Sequence, residues 1–244
     1  MPFYSIAPIL LKNQDFQDFP FFSGTGFFVN FPPYRDIYFV TAKHCTLNYN
    51  NSPKGIIEIP LEAKPECKRK IVFSGYILTK MNPENDFEDV IIYIVDKSCD
   101  DQLDLLKDRC LQLLHQDDIN FILNSTLINN GKLRSIGYPG TKEKTLDYEN
   151  KRGIVQPRGV IGELSAIIDE EYRCVLGNIN WKHADSDMSG FSGSPIIALM
   201  PTDRATVKAI PVGIFSSGNK EIIKFVKINA VTDAIAAHLT GLEI

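Results

Sequence analysis

Short runs of apolar residues recur along most of the chain, and turn-forming proline, glycine, asparagine or serine residues separate most of them. β-Strands have this length and these boundaries. The pattern predicts a first strand within 1–14 and further strands over 25–31, 36–42, 55–61, 70–78, 89–95, 133–139, 158–168, 172–179, 194–200, 207–216 and 222–228. About ten or more short strands at such spacing indicate a β-barrel or β-sandwich architecture.

Two segments instead place their apolar residues at helical spacing. The first covers 99–116, where Asp100 and Asp101 suit the N-terminus of a helix. The second covers 231–242, where Gly241 suits the C-terminal end. We therefore expect a mid-chain helix and a C-terminal helix in an otherwise all-β chain.

The first predicted helix divides the β-rich sequence into two parts. A chain of 244 residues can form one large domain or two small ones, and either can bury a sizeable core. The predicted organisation is an N-terminal barrel over 1–98, a helical linker over 99–125, and a C-terminal barrel with the last helix over 126–244.

The charge of the chain argues against a nucleic-acid partner. The sequence has 26 basic and 30 acidic residues and a net charge of −4, so no broad basic face is expected. No window approaches the roughly 18 apolar residues of a membrane span. The apolar stretch at the N-terminus lacks the preceding basic residue and the cleavage site of a secretion signal. We expect neither a nucleic acid nor a membrane as a partner.

The cysteines indicate a reducing compartment. They are odd in number and widely spaced, and no two of them form a CxxC pair, so the sequence predicts neither a zinc site nor a disulfide framework. They are Cys45, Cys67, Cys99, Cys110 and Cys174. A cytoplasmic location and the absence of any metal or organic cofactor are the corresponding expectations.

Three separate segments carry the residue types of serine acyl transfer. They are "FVTAKHC" around His44, "NDFEDVIIYIV" around Asp89 and "SGFSGSP" around Ser192. The reaction needs a hydroxyl nucleophile, a base that takes its proton, and a carboxylate that holds the base in one tautomer. Asp86 competes with Asp89 for the last role, but the buried strand that starts directly after Asp89 favours Asp89.

The glycines beside Ser192 suit a site for the developing oxyanion. Glycine at position 190 lets the backbone turn its N–H inward without a Cβ in the way, and the N–H of Ser192 can supply a second donor. Gly193 and Pro195 fit a sharp exit into the next strand. The sequence therefore predicts Gly190 and Ser192 as the oxyanion-hole residues.

These segments resemble the trypsin-like serine peptidases, in the family's chain order of His, Asp and Ser. "TAKHC" resembles TAAHC, "DVIIYIV" resembles the buried strand after the catalytic aspartate, and "GFSGSP" resembles GDSGGP or GNSGSP. "GTGFFV" and "IGYPG" resemble the bacterial glutamyl-endopeptidase-like or HtrA-like branch. The resemblance implies two antiparallel six-stranded Greek-key barrels, a peptide or protein substrate, and endopeptidase activity carried by His44, Asp89 and Ser192.

The resemblance also implies a substrate-binding region on both sides of the serine. Its predicted residues are Ser186, Asp187, Ser189, Ile214, Phe215, Ser216, Ser217 and Gly218. Asp187 would favour a basic side chain in the substrate, whereas the serines at 189, 216 and 217 would favour a small or acidic one. The sequence leaves these two specificities open.

Phe191 departs from the family pattern, which has aspartate or asparagine before the serine. In the digestive enzymes that aspartate receives the new N-terminus after zymogen cleavage, and phenylalanine cannot form this ion pair. Activation by a partner protein is one alternative, and a latent peptidase-fold binding module is another. An α/β-hydrolase is disfavoured because its triad order is Ser, Asp, His and a helix follows its serine.

Cys45 matches a family cysteine that is normally disulfide-bonded. The family partner would lie near residues 23–26, where this sequence has no cysteine. Because Cys45 directly follows His44, it is also an alternative nucleophile. We expect a buried free thiol instead.

Overall fold

The computed structural model describes residues 2–12, 21–61, 69–79, 89–99, 101–139, 145–147, 152–154, 156–168, 173–182, 188–202 and 206–241. The strands are β1 (Ile6–Lys12), β2 (Phe21–Asn30), β3 (Ile37–Thr41), β4 (Ile56–Glu58), β5 (Phe73–Leu78), β6 (Ile91–Val95), β7 (Leu111–Gln112), β8 (Lys132–Gly137), β9 (Thr145–Asp147), β10 (Arg152–Ile154), β11 (Arg158–Ile168), β12 (Arg173–Asn180), β13 (Pro195–Pro201), β14 (Val207–Gly218) and β15 (Ile223–Lys227). The helices are α1 (Gln102–Leu106), α2 (Gln116–Ile128) and α3 (Asn229–Thr240).

The first barrel is an antiparallel sheet with the strand order β4-β1-β2-β3-β6-β5. Its fourth strand lies beside its first, which is the Greek-key arrangement. An isolated antiparallel bridge between Pro60 and Lys70 connects the segment after β4 to the segment before β5. The short strand β7 adds to this sheet by pairing in parallel with the end of β2.

The second barrel is closed, with the order β11-β12-β15-β14-β13-β8. Taken in chain order, its six strands are arranged as those of the first barrel are, and they are again antiparallel. The structure therefore has the predicted all-β architecture of two Greek-key barrels.

One apolar cluster extends from the first barrel into the second. It includes Phe27 and Val40 of the first barrel together with Phe191 and Phe215 of the second. Strand β3, which leads to His44, is buried along its whole length. The two barrels are thus packed against each other through one continuous apolar cluster.

The prediction of a single helix over 99–116 is wrong. The segment forms the short helix α1, a 3-10 turn at Lys107–Arg109, and then strand β7. The N–H of Leu113 donates to the carbonyl of Asn30 at 2.9 Å, and the side chain of Leu113 is buried. Pairing with β2 and burial against the first barrel outweigh the local helical pattern.

The long mid-chain helix is α2, which follows the predicted segment. Asp117 and Asp118 lie in its first turn, and Ile119, Ile122 and Leu123 are buried at helical spacing. Most of α2 lies within the predicted helical linker over 99–125, but the helix begins where the predicted helical segment 99–116 ends.

The C-terminal helix is confirmed as α3. It ends at Gly241, whose φ of 68° is the left-handed conformation of a glycine C-cap. No helix in the described ranges has the length and apolar character needed to cross a membrane.

Candidate active site

His44 and Asp89 meet because they lie at the adjacent ends of two paired strands. His44 is in the 3-10 turn Lys43–Cys45 that follows β3, and Asp89 lies just before β6, which pairs with β3. The N–H of Lys43 donates to the carbonyl of Asp89 at 3.0 Å. Backbone pairing therefore continues past the strands and fixes the aspartate beside the histidine.

The carboxylate of Asp89 binds His44 through both of its oxygens. Oδ1 accepts the backbone N–H of His44 at 2.8 Å, and Oδ2 is hydrogen-bonded to Nδ1 of the imidazole ring. Because this bond places the ring proton on Nδ1, the neutral ring carries its lone pair on Nε2. This is the tautomer that a general base requires.

The surroundings of His44 favour its protonated form. The hydrogen bond that the ring donates to Asp89, followed by the effect of the Cys45 side chain, raises the pKa of His44 from 6.5 to about 10, and burial opposes the rise. The His44 side chain is 48% exposed, so a substrate can reach it. The site thus holds a strongly basic and accessible imidazole.

Two consecutive type II turns present Ser192. The N–H of Phe191 donates to the carbonyl of Met188 at 3.1 Å, and Gly190 has a φ of 86° at the third position of this turn. The N–H of Ser194 donates to the carbonyl of Phe191 at 2.8 Å, and Gly193 has a φ of 84° at the corresponding position. A positive φ there, with an ordinary φ at the second position, defines the type II turn.

Gly193 is also fixed by close contacts. A Cβ at this position would lie 2.2 Å from the carbonyl oxygen of Thr25 and 2.2 Å from Oγ1 of Thr41. The N–H of Gly193 donates to the carbonyl of Phe215 at 2.8 Å. The turn after Ser192 is therefore pressed against the first barrel at a point where only glycine fits.

The two predicted oxyanion donors lie in this loop. Gly190 and Ser192 are both partly buried. Within the described part of the chain, neither backbone N–H donates to another protein group. Both remain candidates for binding a negatively charged oxygen.

The Ser192 hydroxyl lies against strand β14. Its Oγ is 3.4 Å from the carbonyl oxygen of Ser216, to which it donates a long hydrogen bond. Among the described groups, this carbonyl rather than the ring of His44 is its partner. Free enzymes often hold catalytic hydrogen bonds long or misaligned, so this contact leaves Ser192 a candidate nucleophile.

Phe191 is completely buried in an aromatic cluster. Its ring meets the ring of Trp181 edge-on with 5.5 Å between centroids, and the ring of Phe215 lies at 5.8 Å. Aromatic pairs at these distances add to the stability gained from burying their area. The residue that departs from the family pattern thus anchors the loop by apolar packing.

The other predicted substrate-binding residues fall into three groups. Ser189, Ser217 and Gly218 are exposed and Ser216 is partly buried, so these residues are accessible beside Ser192. The side chains of Ile214 and Phe215 are buried in the core, so a substrate would reach only their backbone. Ser186 and Asp187 lie outside the described residues, and their predicted role stays a prediction.

Cys45 is a buried free thiol, as predicted. Its Sγ donates to the carbonyl of Ser192 at 3.5 Å, and it lies against Gly24, where a Cβ would come within 2.4 Å of the sulfur. Among the described residues, no group of three or more His, Cys, Asp or Glu side chains could hold a metal ion.

Sequence reasoning missed Thr25. Its backbone N–H donates to the carbonyl of Ser192 at 3.0 Å, and its side chain is fully buried below the loop. The only sequence signal was its place in "GTGFFV", which indicated a strand and not a contact with the serine.

Solved structures similar to this chain include a thermostable serine protease from an extremophilic microorganism, with a TM-score of 0.61 and 9% identity over 97% of each chain. Human heparin binding protein has a TM-score of 0.60 and 15% identity over 99% of this chain and 93% of that chain. No family model and no curated protein matches the sequence. Identities this low establish the fold alone, which is the two-barrel fold of the trypsin-like serine proteases.

Proposed function

We propose that this chain is a serine endopeptidase that uses Ser192, His44 and Asp89. The observation that carries the proposal is the pair of hydrogen bonds that the ring and the backbone N–H of His44 donate to Asp89, next to a serine held between two type II turns. A structural histidine at a strand end does not need a carboxylate that fixes its tautomer, whereas a general base does.

The reaction would begin with rotation of the Ser192 hydroxyl from the Ser216 carbonyl toward His44. Oγ adds to the carbonyl carbon of the peptide bond while its proton passes to Nε2 of His44, and Asp89 stabilises the resulting imidazolium. The negatively charged oxygen of the tetrahedral intermediate is bound by the N–H groups of Gly190 and Ser192.

Collapse of this intermediate breaks the C–N bond. His44 returns its proton to the leaving amine, and the acyl group remains on Oγ of Ser192. A water molecule activated by His44 then hydrolyses the ester and restores the hydroxyl. Apart from this water molecule and the substrate, all of these steps use side chains and backbone groups of the chain itself.

A fluorophosphonate probe tests the proposal, because its phosphorus is attacked by an activated serine with loss of fluoride. We expect labelling of the wild-type protein, complete loss of labelling in Ser192→Ala, and unchanged labelling in Ser98→Ala, an exposed serine outside the site. Labelling that persists in Ser192→Ala would rule out Ser192 as the nucleophile. Peptide mapping of the labelled protein identifies the modified residue independently.

A latent protein that needs a partner, or a binding module, is the second candidate. The hydrogen bond from Ser192 to Ser216 instead of His44 favours it, and one similar fold bears the name of a binding protein. The type II turn at Gly190 argues against a collapsed loop. Labelling of the isolated chain supports constitutive activity, and labelling only after addition of cell lysate supports activation by a partner.

A further inference from the structure

Thr25 connects the first barrel to both ends of the Gly190–Ser192 loop. Its backbone N–H donates to the carbonyl of Ser192 at 3.0 Å, and its Oγ1 donates to the carbonyl of Gly190 at 2.7 Å. Thr25 is fully buried. One residue of β2 thus holds both ends of the tripeptide that carries the nucleophile and the two predicted oxyanion donors.

The hydroxyl of Thr25 must donate the bond to Gly190, because a carbonyl oxygen can only accept. Oγ1 of Thr25 also accepts the backbone N–H of Tyr138 at 2.9 Å. A hydroxyl has one proton and can donate one hydrogen bond while accepting others. The N–H of Tyr138 uses a lone pair of Oγ1, so both contacts of the Thr25 hydroxyl are satisfied at once.

Thr25 is itself held in place by the strand that leads to His44. Its carbonyl accepts a hydrogen bond from Oγ1 of Thr41 at 2.7 Å, and Thr41 is the last residue of β3. The same Thr25 carbonyl lies where a Cβ on Gly193 would clash. The strand that leads to the base, the loop and the second barrel are therefore connected through one residue, by both its backbone and its hydroxyl.

We propose that Thr25 is the positioning residue that keeps the Gly190–Ser192 loop ready for the oxyanion without an ion pair. Its hydroxyl holds the Gly190 carbonyl in place, which restricts the rotations of the backbone that would turn the Gly190 N–H away from the substrate. Phe191 anchors the middle of the same loop by apolar packing. The inference rests on the serine-peptidase function proposed above, and Thr25 itself contacts no substrate.

Three variants of the full chain test the inference. Thr25→Val keeps the shape of the side chain and removes the hydroxyl, Thr25→Ser keeps the hydroxyl, and Thr232→Val is the matched control. Thr232 is also buried and donates to a backbone carbonyl at 2.8 Å, but it lies in α3.

The first measurement is the second-order rate of fluorophosphonate labelling. We expect a loss of about 100-fold in Thr25→Val, similar to removal of an oxyanion-hole donor, with most of the rate retained in Thr25→Ser and Thr232→Val. The titration of His44, followed by NMR, should stay unchanged in Thr25→Val. Unchanged labelling in Thr25→Val, or an equal loss in Thr232→Val, would contradict the proposal.

Amide hydrogen exchange of residues 188–193 is the second measurement, and it does not depend on activity. We expect faster exchange in Thr25→Val than in the wild type and in Thr25→Ser. If the wild-type protein is labelled neither alone nor with cell lysate, the endopeptidase proposal fails, and exchange alone decides whether Thr25 orders the loop. If Thr25→Val does not fold, Thr25→Cys replaces it, since a thiol is a weak donor. A labelling rate and an amide exchange profile of Thr25→Cys equal to those of Thr25→Ser would then refute the proposal.

Discussion

The ring of Phe191 meets the indole of Trp181 edge-on, with 5.5 Å between centroids. Phe191 directly precedes Ser192 in the sequence. Phe191 is completely buried, so truncation to alanine removes a large apolar side chain and leaves a cavity. We expect Phe191→Ala to lower the free energy of unfolding by about 3–5 kcal/mol, measured by urea denaturation.

Phe121→Ala is the matched control for this substitution. Phe121 lies on α2 with 71% of its surface exposed, so its truncation should change the free energy of unfolding by less than about 0.5 kcal/mol. Equal effects of the two substitutions would contradict the anchoring role of Phe191.

Gly193 tests the shape of the turn after the serine. Gly193→Ala would place a methyl group 2.2 Å from the Thr25 carbonyl at a residue whose φ is 84°, so both contact and backbone conformation oppose it. We expect the variant either to unfold or to displace the loop and lose fluorophosphonate labelling. Gly75→Ala, in β5 with open space around its Cβ position, should keep both stability and labelling.

The pH dependence follows from the raised pKa of His44. Only the neutral imidazole can take the proton of Ser192, and the pKa of His44 is raised to about 10. We expect kcat/KM to increase with pH from neutrality and to level off near pH 10. A profile that levels off below pH 7 would contradict the raised pKa of His44.

The protonation of His44 also affects the stability of the folded protein, which should decrease as the pH rises. A histidine whose pKa is raised on folding stabilises the folded state fully below its unfolded pKa of about 6.5. This contribution decreases as the pH rises toward 10. The wild-type protein should therefore lose more stability between pH 6 and pH 10 than His44→Gln does, as measured by urea denaturation at each pH.

Asp89→Asn tests the choice of carboxylate. We expect kcat to fall by about 10⁴-fold because the amide supports the wrong tautomer of His44. The alkaline rise in kcat/KM should also move to lower pH, since the main cause of the raised pKa is removed. Asp86→Asn is the control and should leave both the rate and the profile unchanged. A loss of activity in Asp86→Asn alone would show that Asp86, and not Asp89, is the catalytic carboxylate.

Cysteine alkylation separates the thiol from the serine as nucleophile. Among the four cysteines in the described ranges, Cys45 and Cys174 are buried and Cys99 is only partly buried, so iodoacetamide should modify Cys99 before the two buried cysteines in the folded protein. Burial also raises the pKa of Cys110 to about 12, which slows its reaction. Fluorophosphonate labelling should survive alkylation of Cys99. Loss of labelling in step with modification of Cys45 would favour a thiol nucleophile instead.

The local pattern of apolar and turn-forming residues was sufficient to predict most of the strands. Strand β11 occupies the predicted range 158–168, and β14 starts at the predicted Val207. These strands could be predicted because their residues alternate or run apolar over the length of a strand, and turn residues mark their ends. The order of the two barrels came from the resemblance, because periodicity does not define which strands pair.

The segment 99–116 shows where local pattern failed. Its leucines fit a helix, but Leu111 and Leu113 gain more by pairing with the end of β2 and by burial. A contact between residues about 80 positions apart leaves no trace in local periodicity.

The sequence by itself determined the chemistry that is available: a histidine and an aspartate at two strand ends, and a serine among glycines in the order of a known family. Only the tertiary structure decided what holds that serine. Thr25 and Phe191 are distant in sequence from each other, and their roles depend on the packing of one barrel against the other. The Thr25 hydroxyl donates to the carbonyl of Gly190 and accepts the N–H of Tyr138, and such a three-way contact exists only once both barrels have folded together.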